Sequence, residues 1–171
     1  MSKATPRSAV AKYAPDGKRV AKKELGRMMM TYGNVYVASI ALGANYAQAI
    51  KALAEAEAYP GPSIVIAYCP CINHGIRSGM SHSIVEENLA VQTGYWQLYR
   101  YNPALTAQGK NPLTVDAPAP DGNLLTFLNG EDRYADLRMV DPKEAAILQP
   151  DLRTRTALIY NTLLTQSRQN S

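Results

Sequence analysis

Apolar residues cluster in short runs that glycine and proline interrupt at regular intervals. Val35 to Leu42 is a continuous β-branched and small-apolar run broken by Gly43, and Ser63 to Tyr68 is a second, bounded upstream by Pro60-Gly61-Pro62. Both read as buried strands. Between them, Asn45 is a good N-cap for a helix to about Tyr59, with Ala47, Ile50, Leu53, Ala54 and Ala58 expected on its buried face and Gln48, Lys51, Glu55 and Glu57 away from it. Strand, helix and strand at this spacing predict a βαβ unit with a parallel pair and a right-handed crossover. The Gly43-Ala44-Asn45 turn could present amides to a phosphate, but such a turn is too common to mark a site.

Around this unit the pattern predicts further elements. Lys22 to Tyr32 reads as a short helix with Leu25, Met28 and Met29 filling gaps in a core, stopped by Gly33. Ser83 to Thr93 reads as a helix, with Ser83 as cap and Glu86 completing a capping box. Tyr95 to Tyr101 alternates as a third strand, and Leu124 to Leu128 is expected to be a further short one. Residues 1–22 form an irregular basic lead-in, and residues 103–123 a proline-rich surface connection. Residues 142–168 are helical, as Pro142 to Leu148 and then Asp151 to about Gln166, with a break at Pro150. The expected class is α/β, a mostly parallel sheet flanked by helices, in one domain spanning 1–171.

Composition narrows the classes. A chain of 171 residues with 46% hydrophobic and 19% charged residues is ordinary globular material. No apolar stretch is long enough for a membrane helix, and the first residues lack an apolar leader core, so a cytoplasmic location without membrane contact is expected. Eight basic residues among the first 27 face only Asp16 and Glu24, a local charge of +6 that leaves the remaining 144 residues at −2. Only Tyr13 interleaves those charges, so nucleic acid is not the expected partner; a solvated surface segment accounts for the arm.

The candidate chemistry lies after the second strand, in Tyr68-Cys69-Pro70-Cys71-Ile72-Asn73-His74-Gly75. Loops at the carboxyl ends of parallel strands are where α/β proteins place ligands. Cys69, Cys71, His74 and His82 are the whole cysteine and histidine supply. A disulfide across one proline would be strained. A four-ligand zinc site lacks the usual spacing of paired ligands, and an iron–sulfur cluster needs four thiolates. Cys71 with His74 could form a thiolate–imidazolium pair, although such pairs usually come from distant positions. No Gly-x-Ser-x-Gly elbow, phosphate loop or dinucleotide fingerprint is present.

Five blocks occur in order: Ser2 to Pro6, Tyr32 to Ser39, Glu55 to Ser63, Cys71 to Gly75 (Cys-Ile-Asn-His-Gly) and Gly94 to Pro103. Together, from about Ser2 to Asp151, they resemble the C-terminal part of the thiamine diphosphate-binding domain of the pyruvate:ferredoxin (flavodoxin) oxidoreductase family. The resemblance implies a partial thiamine diphosphate-binding fold. It also implies a share in oxidising pyruvate with coenzyme A to acetyl-CoA and carbon dioxide, with electrons passed through [4Fe-4S] clusters to ferredoxin or flavodoxin. In that family magnesium and the diphosphate are held by a Gly-Asp-Gly loop and an Asn-Thr-Gly-Gly-Gln segment preceding the first block, and neither occurs in this chain. The domain is therefore expected to be N-terminally incomplete and inactive alone, needing the remainder of the oxidoreductase. By resemblance, Cys71 is the remote fourth thiolate of the cluster proximal to thiamine, whereas Cys69 carries no ligand role. The alternative is a non-catalytic remnant or interaction protein that keeps part of the fold without cofactor.

Overall fold

The computed structural model describes residues 5–11 and 14–169. Parts of the basic arm, Lys3, Lys12 and Tyr13 among them, lie outside the described residues. The elements in chain order are α1 (Leu25–Met30), β1 (Tyr36–Ile40), α2 (Tyr46–Ala58), β2 (Ser63–Ala67), α3 (Ser83–Gln92), β3 (Tyr99–Tyr101), β4 (Leu113–Val115), α4 (Leu124–Gly130), α5 (Asp132–Val140) and α6 (Pro142–Arg168). The α/β class and the β1–α2–β2 unit stand as expected, and Asn45 caps α2 by accepting the Gln48 amide at 2.9 Å.

The sheet order is β2-β1-β3-β4. Only β1 and β2 pair in parallel; β3 runs antiparallel to β1, and β4 antiparallel to β3. The sheet is thus mixed rather than mostly parallel, and Trp96 explains the reversal. Its indole Nε1 donates to the Ile40 carbonyl at 3.0 Å, anchoring the chain at the carboxyl end of β1. From there Tyr99, Arg100 and Tyr101 pair in turn with Ser39, Ala38 and Val37, back toward the start of β1. Residues 95–98, expected to begin the strand, instead carry Tyr95 and Trp96 into the core beneath. β4 lies inside the stretch read from sequence as a connection.

Three further expectations are corrected. Leu124 to Leu128 is helical: Asn123 accepts the Leu125 amide at 3.0 Å, and Leu124, Phe127 and Leu128 bury at helical spacing. A five-residue apolar run does not by itself distinguish the two periods. Residues 142–168 form one helix rather than two, with Asp141 capping the Glu144 amide at 2.9 Å. Pro150 and Ala146 are both exposed, so the carbonyl that loses its donor can meet water, while Ala145, Leu148, Gln149, Leu152, Thr156 and Leu163 continue one buried stripe across the proline. In α1 the buried residue is Gly26, against which the Tyr99 hydroxyl packs; Leu25 and Met28 are exposed.

The largest departure concerns the rotation of α2. It packs on β1 through Gln48, Ala49 and Ala52, leaving Ala47, Ile50, Leu53, Ala54 and Ala58 outside. A polar network sets this face. Arg100 grips Asp116 through Nε and an Nη2 nitrogen, both at 2.8 Å, and reaches Glu55 through Nη1 at 2.5 Å. The Gln48 amide donates to Asp116 at 3.0 Å and to the Ser39 carbonyl at 3.3 Å, and the Tyr36 hydroxyl donates to Glu55 at 3.0 Å. These groups would be left unpaired if the larger apolar residues turned inward.

The lead-in is also fastened. Lys18 is buried and its Nζ donates to the Thr5 carbonyl, Arg7 pairs with Asp151 at 2.5 Å, and Arg19 with Glu144 at 2.8 Å. Two of the arm's described cations thus reach α6, while Arg19, Lys22, Lys23 and Arg27 remain exposed. Among the described residues, no helix is long and apolar enough to cross a membrane.

Truncating Arg100 tests the network. Breaking a largely buried pair leaves two carboxylates uncompensated, so Arg100→Met is expected to lower the unfolding free energy by about 3 kcal/mol. Urea unfolding should also show that Arg100→Met with Asp116→Asn loses less than the two single changes added together.

Candidate functional site in the cysteine loop

The loop begins where β2 leaves the sheet. The Tyr68 amide still donates to the Ile40 carbonyl at 2.9 Å, and from Cys69 the chain turns outward. Cys69 is exposed, its Sγ 3.5 Å from the Pro70 carbonyl; Cys71 is half-buried. A tight turn follows, closed by the Gly75 amide on the Cys71 carbonyl at 2.9 Å. Gly75 has φ +90°, a left-handed conformation that glycine adopts without a Cβ penalty. The turn carries His74 back over Cys71, bringing Nδ1 to 3.1 Å from Sγ. Three residues of separation suffice for the pair. His82, in contrast, is exposed and lies against Ser81 Oγ at 3.3 Å.

Both ends of the loop are held by one segment, Gly130 to Arg133. At the entrance, the Tyr68 hydroxyl donates to Glu131 Oε1. At the exit, Ile76 bridges Glu131 through the backbone, the Arg77 amide donates to the Gly130 carbonyl at 2.8 Å, and Arg77 pairs with Asp132 at 3.3 Å. Glu131 is only 1% exposed and is neutralised by Arg133, whose Nε and Nη2 both reach Oε2 at 2.5 Å. Around it stand Tyr95 and Tyr134, their hydroxyls 2.5 Å apart, with the Arg133 guanidinium 5.1 Å above the Tyr134 ring. Burial and then the Glu131 charge push the Tyr68 hydroxyl far above its ordinary range, so it stays protonated and able to donate.

A second carboxyl lies beside this cluster. Glu86 was expected to close a capping box at the start of α3, but the helix has no side-chain cap. Its carboxyl turns inward against Gly130, where a Cβ would meet Glu86 Oε2 at 2.6 Å, and Oε1 is without a hydrogen-bond partner. Glu87 faces the β1–α2 turn and accepts the Gly43 amide at 2.8 Å; the Ala44 and Asn45 amides bond the Ala41 carbonyl. The amides that could have met a phosphate are thus engaged within the chain.

Among the described residues, no group of three or more His, Cys, Asp or Glu side chains is placed to hold a metal ion. The donor set of the loop is the exposed Cys69 thiol and the half-buried Cys71 thiol with an imidazole beside it. That is fewer than the four thiolates a whole iron–sulfur cluster takes.

The position of Glu86 has a consequence for stability. Burial, with the Glu131 charge as the next cause, raises its carboxyl to about 7 from an ordinary 4.5. Between those values the folded chain keeps a proton that the unfolded chain has lost, so stability should fall as pH rises from about 4.5 to about 7. Glu86→Gln should flatten that slope and be the more stable form at about pH 8, as read from urea midpoints across the range.

No family model matches the chain. Curated relatives do. The chain is 51% identical over 160 residues to "Pyruvate-flavodoxin oxidoreductase" of Klebsiella pneumoniae, covering 91% of this chain and 14% of that protein. It is 54% identical over 144 residues to "Pyruvate:ferredoxin oxidoreductase" of Moorella thermoacetica, covering 84% of this chain and 12% of the relative. It is 45% identical over 160 residues to "Pyruvate dehydrogenase [NADP(+)], mitochondrial" of Euglena gracilis, of which it spans 9%. The chain therefore spans only about a tenth of each relative's length. The resemblance carried by the five sequence blocks is borne out: over about nine-tenths of its length, this chain is homologous to one segment of the pyruvate:ferredoxin and pyruvate-flavodoxin oxidoreductases.

Proposed function

We propose that this chain is a structural segment of a 2-oxoacid:ferredoxin or flavodoxin oxidoreductase, of thiamine diphosphate-binding type, and that it contributes Cys71 to a cluster completed elsewhere. The observation that carries the reading is identity near one half with enzymes named for pyruvate oxidation. The loop geometry is consistent with it: Cys71 sits on a turn pinned at both ends with His74 beside its Sγ, while the exposed Cys69 Sγ lies 3.5 Å from the Pro70 carbonyl.

In the assembled enzyme the reaction is oxidative decarboxylation of pyruvate with coenzyme A. Thiamine diphosphate with magnesium and [4Fe-4S] clusters supply the carbanion and electron chemistry when bound. This chain's share is to place one thiolate and to keep the loop rigid, because a cluster ligand that wanders would cost both cluster stability and a fixed electron-transfer distance. His74 beside Sγ and the Glu131–Tyr68 bond both serve that placement. The work is cytoplasmic, with ferredoxin or flavodoxin as the electron partner.

Alone, the purified chain should not reduce methyl viologen with pyruvate and coenzyme A; turnover by the 171 residues would overturn the segment reading.

In the assembled enzyme, Cys71→Ser replaces a soft thiolate with a harder, weakly acidic hydroxyl. Iron content should drop, and the reduced-cluster paramagnetic signal should weaken, with thiamine binding retained. Cys69→Ser should leave both unchanged. Equal behaviour of the two variants would remove the ligand role, and the non-catalytic interaction protein would then be the better account.

A further inference from the structure

Helix α2 is amphipathic, yet its large apolar residues point away from the sheet it packs on. Tyr46 is 66% exposed, and Ile50 and Leu53 are each 50% exposed, at spacings of four and three residues that align them on one stripe. The inner face is made instead of small alanines and the hydrogen-bonded Gln48. Two more large apolar residues are exposed beside the turn that precedes the helix. Leu42 (51% exposed) lies in the β1–α2 turn, and Ile84 (65% exposed), near the start of α3, stands against it, since a Cβ on Gly43 would come within 2.9 Å of the Ile84 backbone.

Three large apolar side chains on one helix face, with two more exposed at the adjoining turn, are more than the scattered exposed leucine of an ordinary surface. We propose that this α2 face is a docking surface for a polypeptide of the parent oxidoreductase outside this chain. The proposal rests on the reading of the chain as one segment of that enzyme. Two observations favour this occupant over a second copy. The relatives carry the homologous segment as only 9 to 14% of a much longer polypeptide, so most of their mass must surround it. The sheet is also open on the same flank: β2 is an edge strand, and among the described residues no strand pairs with its outer side, although it carries Ile64, Val65 and Ile66. α2 packs on both β1 and β2, so the helix that carries the stripe lies over the strand whose edge is open. An enclosing polypeptide would cover both at once, whereas a two-fold contact through the stripe would leave the edge unpaired.

The test compares the isolated chain with a chimera in which it replaces the homologous segment of the Klebsiella pneumoniae enzyme. Hydroxyl-radical footprinting should oxidise Tyr46, Ile50 and Leu53 readily in the isolated chain. It should do so at least about fivefold more slowly in the chimera, as for the dry centre of an interface. Ile50→Glu with Leu53→Glu should leave the circular dichroism and urea midpoint of the isolated chain unchanged, and should prevent assembly of the chimera. Equal oxidation in both contexts, or an assembled chimera that tolerates both glutamates, would overturn the proposal. So would a concentration-dependent dimer of the isolated chain that protects the stripe and is lost in the double variant, because the occupant would then be a second copy. A chimera that buries the stripe but does not oxidise pyruvate would count against the functional reading and leave the docking face standing. One that fails to assemble at all would count against both.

Discussion

The buried Glu131 carboxylate is the interaction on which the geometry of the cysteine loop depends. Removing a carboxylate from water costs several kcal/mol, and the cost is offset only if its lone pairs are filled. Here Arg133 fills one oxygen twice and Tyr68 the other. Because Tyr68 is the last residue of the chain before Cys69, satisfying Glu131 fixes where β2 ends. Because Glu131 also bridges Ile76 through its backbone, the same residue fixes where the loop returns. The seven residues between are short enough that two fixed ends leave the turn little choice, and Gly75 absorbs the reversal. The Cys71–His74 approach thus follows from a salt bridge 60 residues away in sequence.

The aromatic ring around that pair supplies what the charges need. Tyr68, Tyr95, Phe127 and Tyr134 meet edge-on or tilted, with centroids between 4.4 and 6.3 Å apart, and they exclude water from the Glu131–Arg133 contact. In such surroundings an ion pair gains strength, and an unpaired group loses more. Glu86 is the exception within the cluster. Its inward turn against Gly130, with one oxygen unpartnered, makes the α3–α4 junction the place where a proton has most influence on packing.

Local signals were the legible part of the sequence. Asn45 caps α2 as its neighbours predict, since a cap depends on residues three positions apart. The β1–α2–β2 unit was legible for the same reason. What was not legible depended on distant partners. The rotation of α2 is set by Arg100 and Asp116, which lie far along the chain from Gln48, and hydrophobic periodicity pointed to the opposite face. The direction of β3 is set by one indole reaching the end of β1. The motif around Cys71 marked the site, but nothing local to it revealed Glu131 or Arg133 as its support.

Under the proposed function, the outward apolar face of α2 and the small donor set of the cysteine loop have one physical reason. A helix chosen for packing on one side only would carry its large apolar residues on that side, and α2 does not. A metal or cluster site complete within the chain would gather further ligands around Cys71, and among the described residues no such group forms. On the proposed reading, each feature is half of an arrangement that two surfaces share. The sheet shows the same condition, since β1 is paired on both sides while β2 stands at an edge with three β-branched residues in succession. Exposed helix face, half-buried thiol and open strand edge are features that a longer polypeptide could complete, and the relatives carry the homologous segment within one several times longer.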